Sequence, residues 1–148
     1  MTDSLFLFAA IADTPVAVRA DEIEAVVRLR EVVPVPRVPP YVRGLAALRS
    51  RVLTVIDMHR RIFGAESRGD SAAAHAIVAE IAGHSYGFCV DALTDICHAA
   101  QGVQPVRGRI DPAWAPFVSG LVEREGRSHL LLTLTDFAAM PAGPSLAA

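Results

Sequence analysis

The stretch Val42-Arg43-Gly44-Leu45-Ala46-Ala47-Leu48-Arg49-Ser50-Arg51-Val52-Leu53-Thr54-Val55-Ile56-Asp57 decides how this chain folds. It reads as two strands turned back on each other. The second, Val52 to Ile56, is apolar at four of its five positions. A strand with one wet face alternates, so this one is expected to be buried on both faces. In the first arm, Val42, Gly44, Ala46 and Leu48 share one parity, and Arg43, Leu45, Ala47 and Arg49 share the other. The second set places a guanidinium at each end of a short apolar strip, with Ser50 where the chain must reverse. An ordinary hairpin with solvated arginines is one reading. A contact surface is the other, because arginine and aliphatic side chains held side by side on a rigid strand suit recognition of another protein.

Working outward, composition sets the frame. The chain has 148 residues, 52% of them apolar, and a net charge of −2. That fits one ordinary domain, or two very small ones sharing a core. So small a charge argues against non-specific nucleic-acid binding or attraction to an anionic membrane. No apolar run approaches a membrane span. Met1-Thr2-Asp3-Ser4 carries no positive charge, so Leu5-Phe6-Leu7-Phe8 reads as a strand rather than a signal peptide. Cys89 and Cys97 lack metal or redox spacing. Spacing leaves a disulfide open, but without an export signal reduced thiols and a cytoplasmic protein are expected.

Before the hairpin, Leu5 to Ile11 is a strand, Ala12-Asp13-Thr14-Pro15 a turn and Val16-Ala17-Val18 the returning arm. Ala20-Asp21-Glu22-Ile23 fits one helical turn, its acids placed to suit the dipole. Glu24 to Leu29 favours a strand through Val26-Val27, at an edge because Arg28, Arg30 and Glu31 follow. Pro34-Val35-Pro36-Arg37-Val38-Pro39-Pro40 excludes helix and central strand, since its prolines lack donors. A stiff crossing loop is expected there, in preference to a ligand for a proline-binding module.

Beyond Asp57, Met58 to Phe63 fits a short helix stopped by Gly64, and Ala65 to Ala74 a polar loop. His75 to Ile81 and Tyr86 to Val90 read as a hairpin, with Ala92 to His98 continuing the same sheet. Gln101 to Pro116 is a long loop anchored by an inward Trp114. Phe117 to Val122 and His129 to Leu134 form a last hairpin through Glu125-Gly126. A short helix over Thr135 to Met140 and a frayed tail from Pro141 follow. Two segments recur: Tyr41-Val42-Arg43-Gly44-Leu45 answers to Phe117-Val118-Ser119-Gly120-Leu121, and Leu53-Thr54-Val55-Ile56-Asp57 to Leu132-Thr133-Leu134-Thr135-Asp136. Two copies suggest two related barrels.

Reaction chemistry is hard to place on this chain. It has no Gly-rich phosphate loop, H-E-x-x-H, paired C-x-x-C or nucleophile elbow. His59, His75, His84, His98 and His129 lack ligand spacing. Asp57 beside His59 has no partner nucleophile, and both Asp57 and Asp136 are expected to cap helical turns. Arg43, Arg49, Arg51, Arg60 and Arg61 raise a small-barrel nucleic-acid module as a distant alternative, weakened by the scarcity of aromatics for base stacking.

Taken together, Leu5 to about Met140 resembles a CheW-like domain, the coupling protein of bacterial chemotaxis arrays. The family's lead-in appears as Val35-Pro36 and Tyr41-Val42-Arg43-Gly44. Its N-L-R-G core appears as Ala47-Leu48-Arg49-Ser50, P-V-I-D-L-R as Thr54-Val55-Ile56-Asp57-Met58-His59, and G-L-x-V-D as Gly87-Phe88-Cys89-Val90-Asp91. The resemblance implies a mostly-β fold of two five-stranded SH3-like barrels sharing a core, with a few short helices. Barrel one is expected over about 15–65 with swapped terminal strands, and barrel two over the remainder.

The resemblance also implies an adaptor without catalysis, metal or cofactor, cytoplasmic and drawn to receptor arrays through its partners. It would join chemoreceptor cytoplasmic tips to the regulatory domain of a CheA-type histidine kinase, with no nucleic acid and no membrane insertion. Partner contact maps onto Arg49, with Arg43, Leu45 and Ala47 beside it, and onto Ile23, Val26 and Val27 near the groove between barrels. The kinase surface is expected on the first half. The departures are Ala47 for Asn, Ser50 for Gly, Thr54 for Pro, His59 for Arg, and Ala25 for an acid that could partner Arg49. They leave open a divergent protein that serves a surface-motility pathway, or one that occupies array sites without activating the kinase.

Overall fold

The computed structural model describes residues 5–64 and 75–138; the expected loop over 65–74 and the tail from Pro141 fall outside them. Leu5–Ile11 (β1) and Thr14–Arg19 (β2) form an antiparallel hairpin. Ala12 and Asp13 both have positive φ (53° and 63°), as in the primed turns whose twist suits a hairpin. Pro15 stands inside β2, opposite Ala10, rather than in the turn. After one 3₁₀ turn at Ala20–Glu22 comes Ala25–Arg28 (β3). The proline-rich crossing leads into Val42–Leu48 (β4), Arg51–Asp57 (β5) and the helix Met58–Phe63 (α1), which Gly64 ends at φ 70°. The second half repeats the order: His75–Ile81 (β6), His84–Val90 (β7), Ala92–His98 (β8), Val103–Gln104 (β9), Val118–Arg124 (β10), Arg127–Leu132 (β11) and the helix Leu134–Ala138 (α2).

The halves exchange strands. One sheet has the order β8-β1-β2-β11-β10-β9, the other β3-β6-β7-β5-β4. β8 therefore does not continue the β6–β7 sheet; it pairs with β1 in the other one. Asp91, between β7 and β8, explains the crossing: its carboxylate accepts the Ala12 N–H at 2.6 Å and its own N–H donates to the Ala10 carbonyl at 3.1 Å. Reciprocally, β3 leaves β2 to pair with β6. The hairpins of different halves then join through the parallel pairs β2–β11 and β5–β7. It is the internal hairpin β6–β7 that joins β3, β4 and β5, while the terminal hairpin β1–β2 belongs to the other sheet.

Both sheets close. Beyond β3 the chain returns to the opposite edge, where Val33 pairs with Leu45 of β4. Beyond β8, β9 pairs with β10 in the same way. The repeated glycines make this possible. At Val42/Gly44 and at Val118/Gly120 the register shifts by a bulge. A Cβ on Gly44 (φ +147°) would collide with the Val33 carbonyl oxygen, and one on Gly120 would lie 2.8 Å from a Val103 methyl. Glycine admits the closing strand.

Three apolar cores follow. Leu29, Ala46, Leu53, Val55, Val78 and Cys89 pack inside barrel one, and Phe6, Phe8, Ala17, Val122 and Leu131 inside barrel two. Leu7, Ile11, Val16, Ile56, Ile77 and Phe88 fill the space between, together with Trp114, the inward anchor of its loop. Each fully buried side chain of this size contributes about 1.5–3 kcal/mol. Val55 and Ile56 point to different cores, so the end of β5 is buried on both faces as its apolar run suggests. Val52 is not: it is 58% exposed, because no second layer reaches the tip of the hairpin.

Polar contacts bind the halves at the helices. Arg61 of α1 donates from Nε to the Phe137 carbonyl in α2 at 3.1 Å. Its guanidinium lies 4.4 Å from the Tyr41 ring centroid and 5.2 Å from that of Phe117, the matching residues of the repeat. Asp57 caps α1 as expected, accepting the Arg60 N–H at 3.2 Å. Asp136 does not cap α2; it lies within the helix, and Glu22 of the first half accepts the Leu134 N–H at 3.1 Å. Burial pushes the Glu22 carboxyl above its usual range, against the lowering effect of that N–H.

Candidate interaction surface

The bulge that closes barrel one also redirects Arg43. One extra residue on β4 takes its side chain away from the face of Leu45 and Ala47. Its Nη1 reaches the Cys89 sulfur at 4.0 Å and its Nε lies 4.0 Å from an Asp57 oxygen. Burial raises the Cys89 thiol pKa while the Arg43 charge works against it. Cys89 and Cys97 are free thiols in different cores.

Leu45 and Ala47 remain on one outer face. Across β5 they meet Thr54 and Val52, and on the closing side Leu45 meets Val33. Val33 is 56% exposed and Val52 58%. An apolar strip of Val33, Leu45, Ala47 and Val52 thus runs to the tip of the hairpin. Val33 and Val52 do not emerge from the sequence, because membership depends on which residue each faces across the ladder.

Arg49 is a turn residue rather than part of β4. It carries the left-handed conformation (φ 57°), which a residue with a Cβ adopts at a steric cost. Arg49 is exposed, with no hydrogen bond or ion pair among the described residues. Asp57, the internal prop one would suppose for it, is engaged by Arg43 and α1. Arg51 is the tip arginine that finds an acid: its Nη2 meets Glu24 at 2.8 Å and its Nη1 donates to Ser85 at 3.2 Å. This pair ties the hairpin tip to the start of β3.

On β3 the expected groove residues part company. Val26, together with Ile23 just before the strand, packs half-buried against the core between the barrels. Val27 packs against the barrel-one core instead, as consecutive strand residues must. The outer face of β4–β5 therefore carries the strip, with Arg49 in the turn at its end, while Ile23 and Val26 pack at the core between the barrels. His59 lies tilted against Phe63 with ring centroids 4.9 Å apart, and His129 stands edge-on to Phe8 at 4.8 Å in the barrel-two wall. Among the described residues no three His, Cys, Asp or Glu side chains gather as metal ligands, and no helix is long and apolar enough to cross a membrane.

Comparison with known proteins bears on the family and the fold. The family model described as "CheW-like domain" matches residues 5–140. The chain is 26% identical over 114 residues to "Chemotaxis protein CheW" of Treponema pallidum, a match spanning 74% of this chain and 66% of that protein. It is 30% identical over 102 residues to "Chemotaxis protein CheW" of Rhizobium meliloti, spanning 68% of this chain and 65% of that protein. Both matches thus span just under two thirds of the relatives' length. The crystal structure of scaffolding protein TtCheW from Thermoanaerobacter tengcongensis superposes with a TM-score of 0.79 at 23% identity, covering 99% of each chain. That likeness shows the fold.

Proposed function

The chain belongs to the CheW-like domain family, and from that premise we propose that it is a non-enzymatic adaptor of a chemotaxis array. In this reading it couples chemoreceptor cytoplasmic tips to the regulatory domain of a CheA-type histidine kinase. The strip Val33, Leu45, Ala47 and Val52 with Arg49 is the partner-binding face, and Ile23 and Val26 extend it toward the groove. Arg43 and Val27 support the face from behind. The observation that carries the reading is the family match across nearly the whole described chain, joined to an exposed apolar strip on the hairpin that bears the N-L-R-G counterpart. An adaptor works by contact alone, and rigid strands beside an open guanidinium suit that task. Its place in the cell follows from its partners.

Ala25, where the family's acid is expected, favours one variant of this reading: a divergent coupling protein, whose partners or effect on the kinase differ from the family's usual ones. The nucleic-acid alternative draws little support. Of its five arginines, Arg51 is paired with Glu24, Arg61 stacks on Tyr41 and Phe117, Arg60 donates to the Pro40 carbonyl at 3.2 Å and Arg43 approaches Asp57. Affinity purification from the native cell tests the proposal. Recovery of a chemoreceptor and a histidine kinase is expected. Recovery of nucleic acid, or hydrolysis abolished by a point mutation, would overturn it.

A further inference from the structure

The ladder register allows one barrel to be compared with the other. The hairpins β4–β5 and β10–β11 pair Leu48 with Arg51 and Arg124 with Arg127 next to their turns. Deeper in, Ala46 faces Leu53 and Val122 faces His129. His129 is thus a titratable ring, 6% exposed, at the place where barrel one buries a leucine. Packing alone does not call for it. The ring stands edge-on to Phe8, and the Arg124 guanidinium lies 5.5 Å from the centroid of that same Phe8 ring. Arg124 in turn fastens β10 to β8. Its Nη2 meets Asp95 at 3.1 Å, and its Nε donates to the Cys97 sulfur at 3.4 Å. β8 is an edge strand, paired with β1 on one side only, and Ile96 between those two contacts is half exposed.

We propose that His129 and Arg124 form a proton-operated latch on barrel two: protonation of the His129 ring drives Arg124 off Asp95 and Cys97 and loosens the edge strand β8. The backbone carbonyls of Arg127 and Val122 both bond the ring, so a second ring proton finds an acceptor without unfolding. The new charge then meets repulsion. The charged groups acting on the ring are Arg127 on its own strand and Arg124 on β10, both cations. Glu123 of β10 stands opposite Ser128, on the other face of the ladder. β1 and β9 carry no charged residue, and β2 carries only Arg19, three residues beyond the Val16 that neighbours Leu130. On β8, Asp95 and Cys97 engage Arg124, while His98 lies at the far end opposite Leu5. Glu125 in the turn lies 3.6 Å from Arg124. Burial leaves the repulsion poorly screened. The ring is enclosed whereas the Arg124 side chain is 21% exposed, so the guanidinium is the group with a way out to water. Burial and the two cations hold the imidazole pKa below its usual value. The latch is therefore closed at neutral pH and opens as pH falls below about 6.5.

Nuclear magnetic resonance of the full chain tests the latch with no partner present, so the outcome does not depend on the adaptor reading. The His129 ring and the Arg124 Nε–H are followed between about pH 7.5 and pH 5. In the wild type the Arg124 signal is expected to move with the same midpoint as the His129 ring. Amide protection along β8, corrected for the intrinsic effect of pH on exchange, should fall about tenfold over the same step. His129→Leu supplies the residue that barrel one has there, and should hold both readouts at their neutral-pH values. Arg124→Gln should raise the His129 midpoint by about half a pH unit or more, because proton and latch are coupled in both directions. An Arg124 signal that moves as far in His129→Leu would assign the step to Asp95 or Glu125 and overturn the latch. A His129 ring that stays neutral down to pH 5 overturns it, and so does a midpoint that Arg124→Gln leaves unchanged. Arg124→Gln alters only the rim, so its midpoint decides the matter should His129→Leu fail to fold.

Discussion

At the scale of single residues, conformation and charge meet in Arg49. A side chain with a Cβ at φ 57° carries a local penalty of about 1 kcal/mol that glycine avoids. Arg49→Gly is therefore expected to raise the melting temperature by a few degrees, corresponding to about 1 kcal/mol, while removing the guanidinium. A fall in melting temperature would show that the side chain holds the turn. His129 is the residue to examine for pH dependence. Burial holds its pKa below the usual imidazole value, and the nearby Arg127 and Arg124 charges push the same way against two backbone carbonyls. The folded state thus prefers neutral imidazole. Its contribution to stability is present above the unfolded pKa of about 6.5 and is lost as pH falls toward the lowered folded value. His129→Gln should flatten the melting profile between about pH 7 and pH 5; an unchanged slope would place the titration elsewhere.

Among the elements, the closing strands control the barrels, and the two glycines grade the effect. Gly44→Ala sets a methyl group against the Val33 backbone at a φ only glycine accepts with ease. The loss is expected to be about 2–3 kcal/mol or more, read by denaturant unfolding. Gly120→Ala meets a Val103 methyl that can shift, so it should be the milder variant; the reverse order would refute this account of closure. The hairpins themselves are legible in the sequence, because Ala82-Gly83 and Glu125-Gly126 announce turns between apolar runs. The destination of β8 is not. Its pattern says strand, but its sheet is set by long-range pairing with β1, entered through the Asp91 contacts with Ala10 and Ala12. The proposed contact face is legible in the same uneven way. Leu45 and Ala47 share one face as parity reads them, whereas Arg49, read as the end of that strand, stands in the turn beyond it. The bulge that turns Arg43 inward shifts parity by one residue and leaves no local signal beyond Gly44.

For the molecule as a whole, reciprocal exchange makes each barrel depend on both halves. β3, β4 and β5 close only around β6 and β7, and β8 to β11 only around β1 and β2. Neither repeat owns a barrel, so global unfolding should be a single cooperative step. The contacts that cross between halves outside the sheets then act on total stability rather than on one barrel. Arg61 makes several of these, joining α1 to the end of α2 and lying over Tyr41 and Phe117. A charged hydrogen bond is worth about 1.5–3 kcal/mol and a partly desolvated cation–π contact about 1 kcal/mol, not fully additive. Arg61→Met keeps much of the stem and removes both, so a loss of about 2–3 kcal/mol is expected, with one transition retained. Arg61→Lys keeps the charge but not the planar fork and should fall between. Two separated transitions in calorimetry of Arg61→Met would show that the barrels are independent units, and that Arg61, rather than the exchanged strands, makes them one.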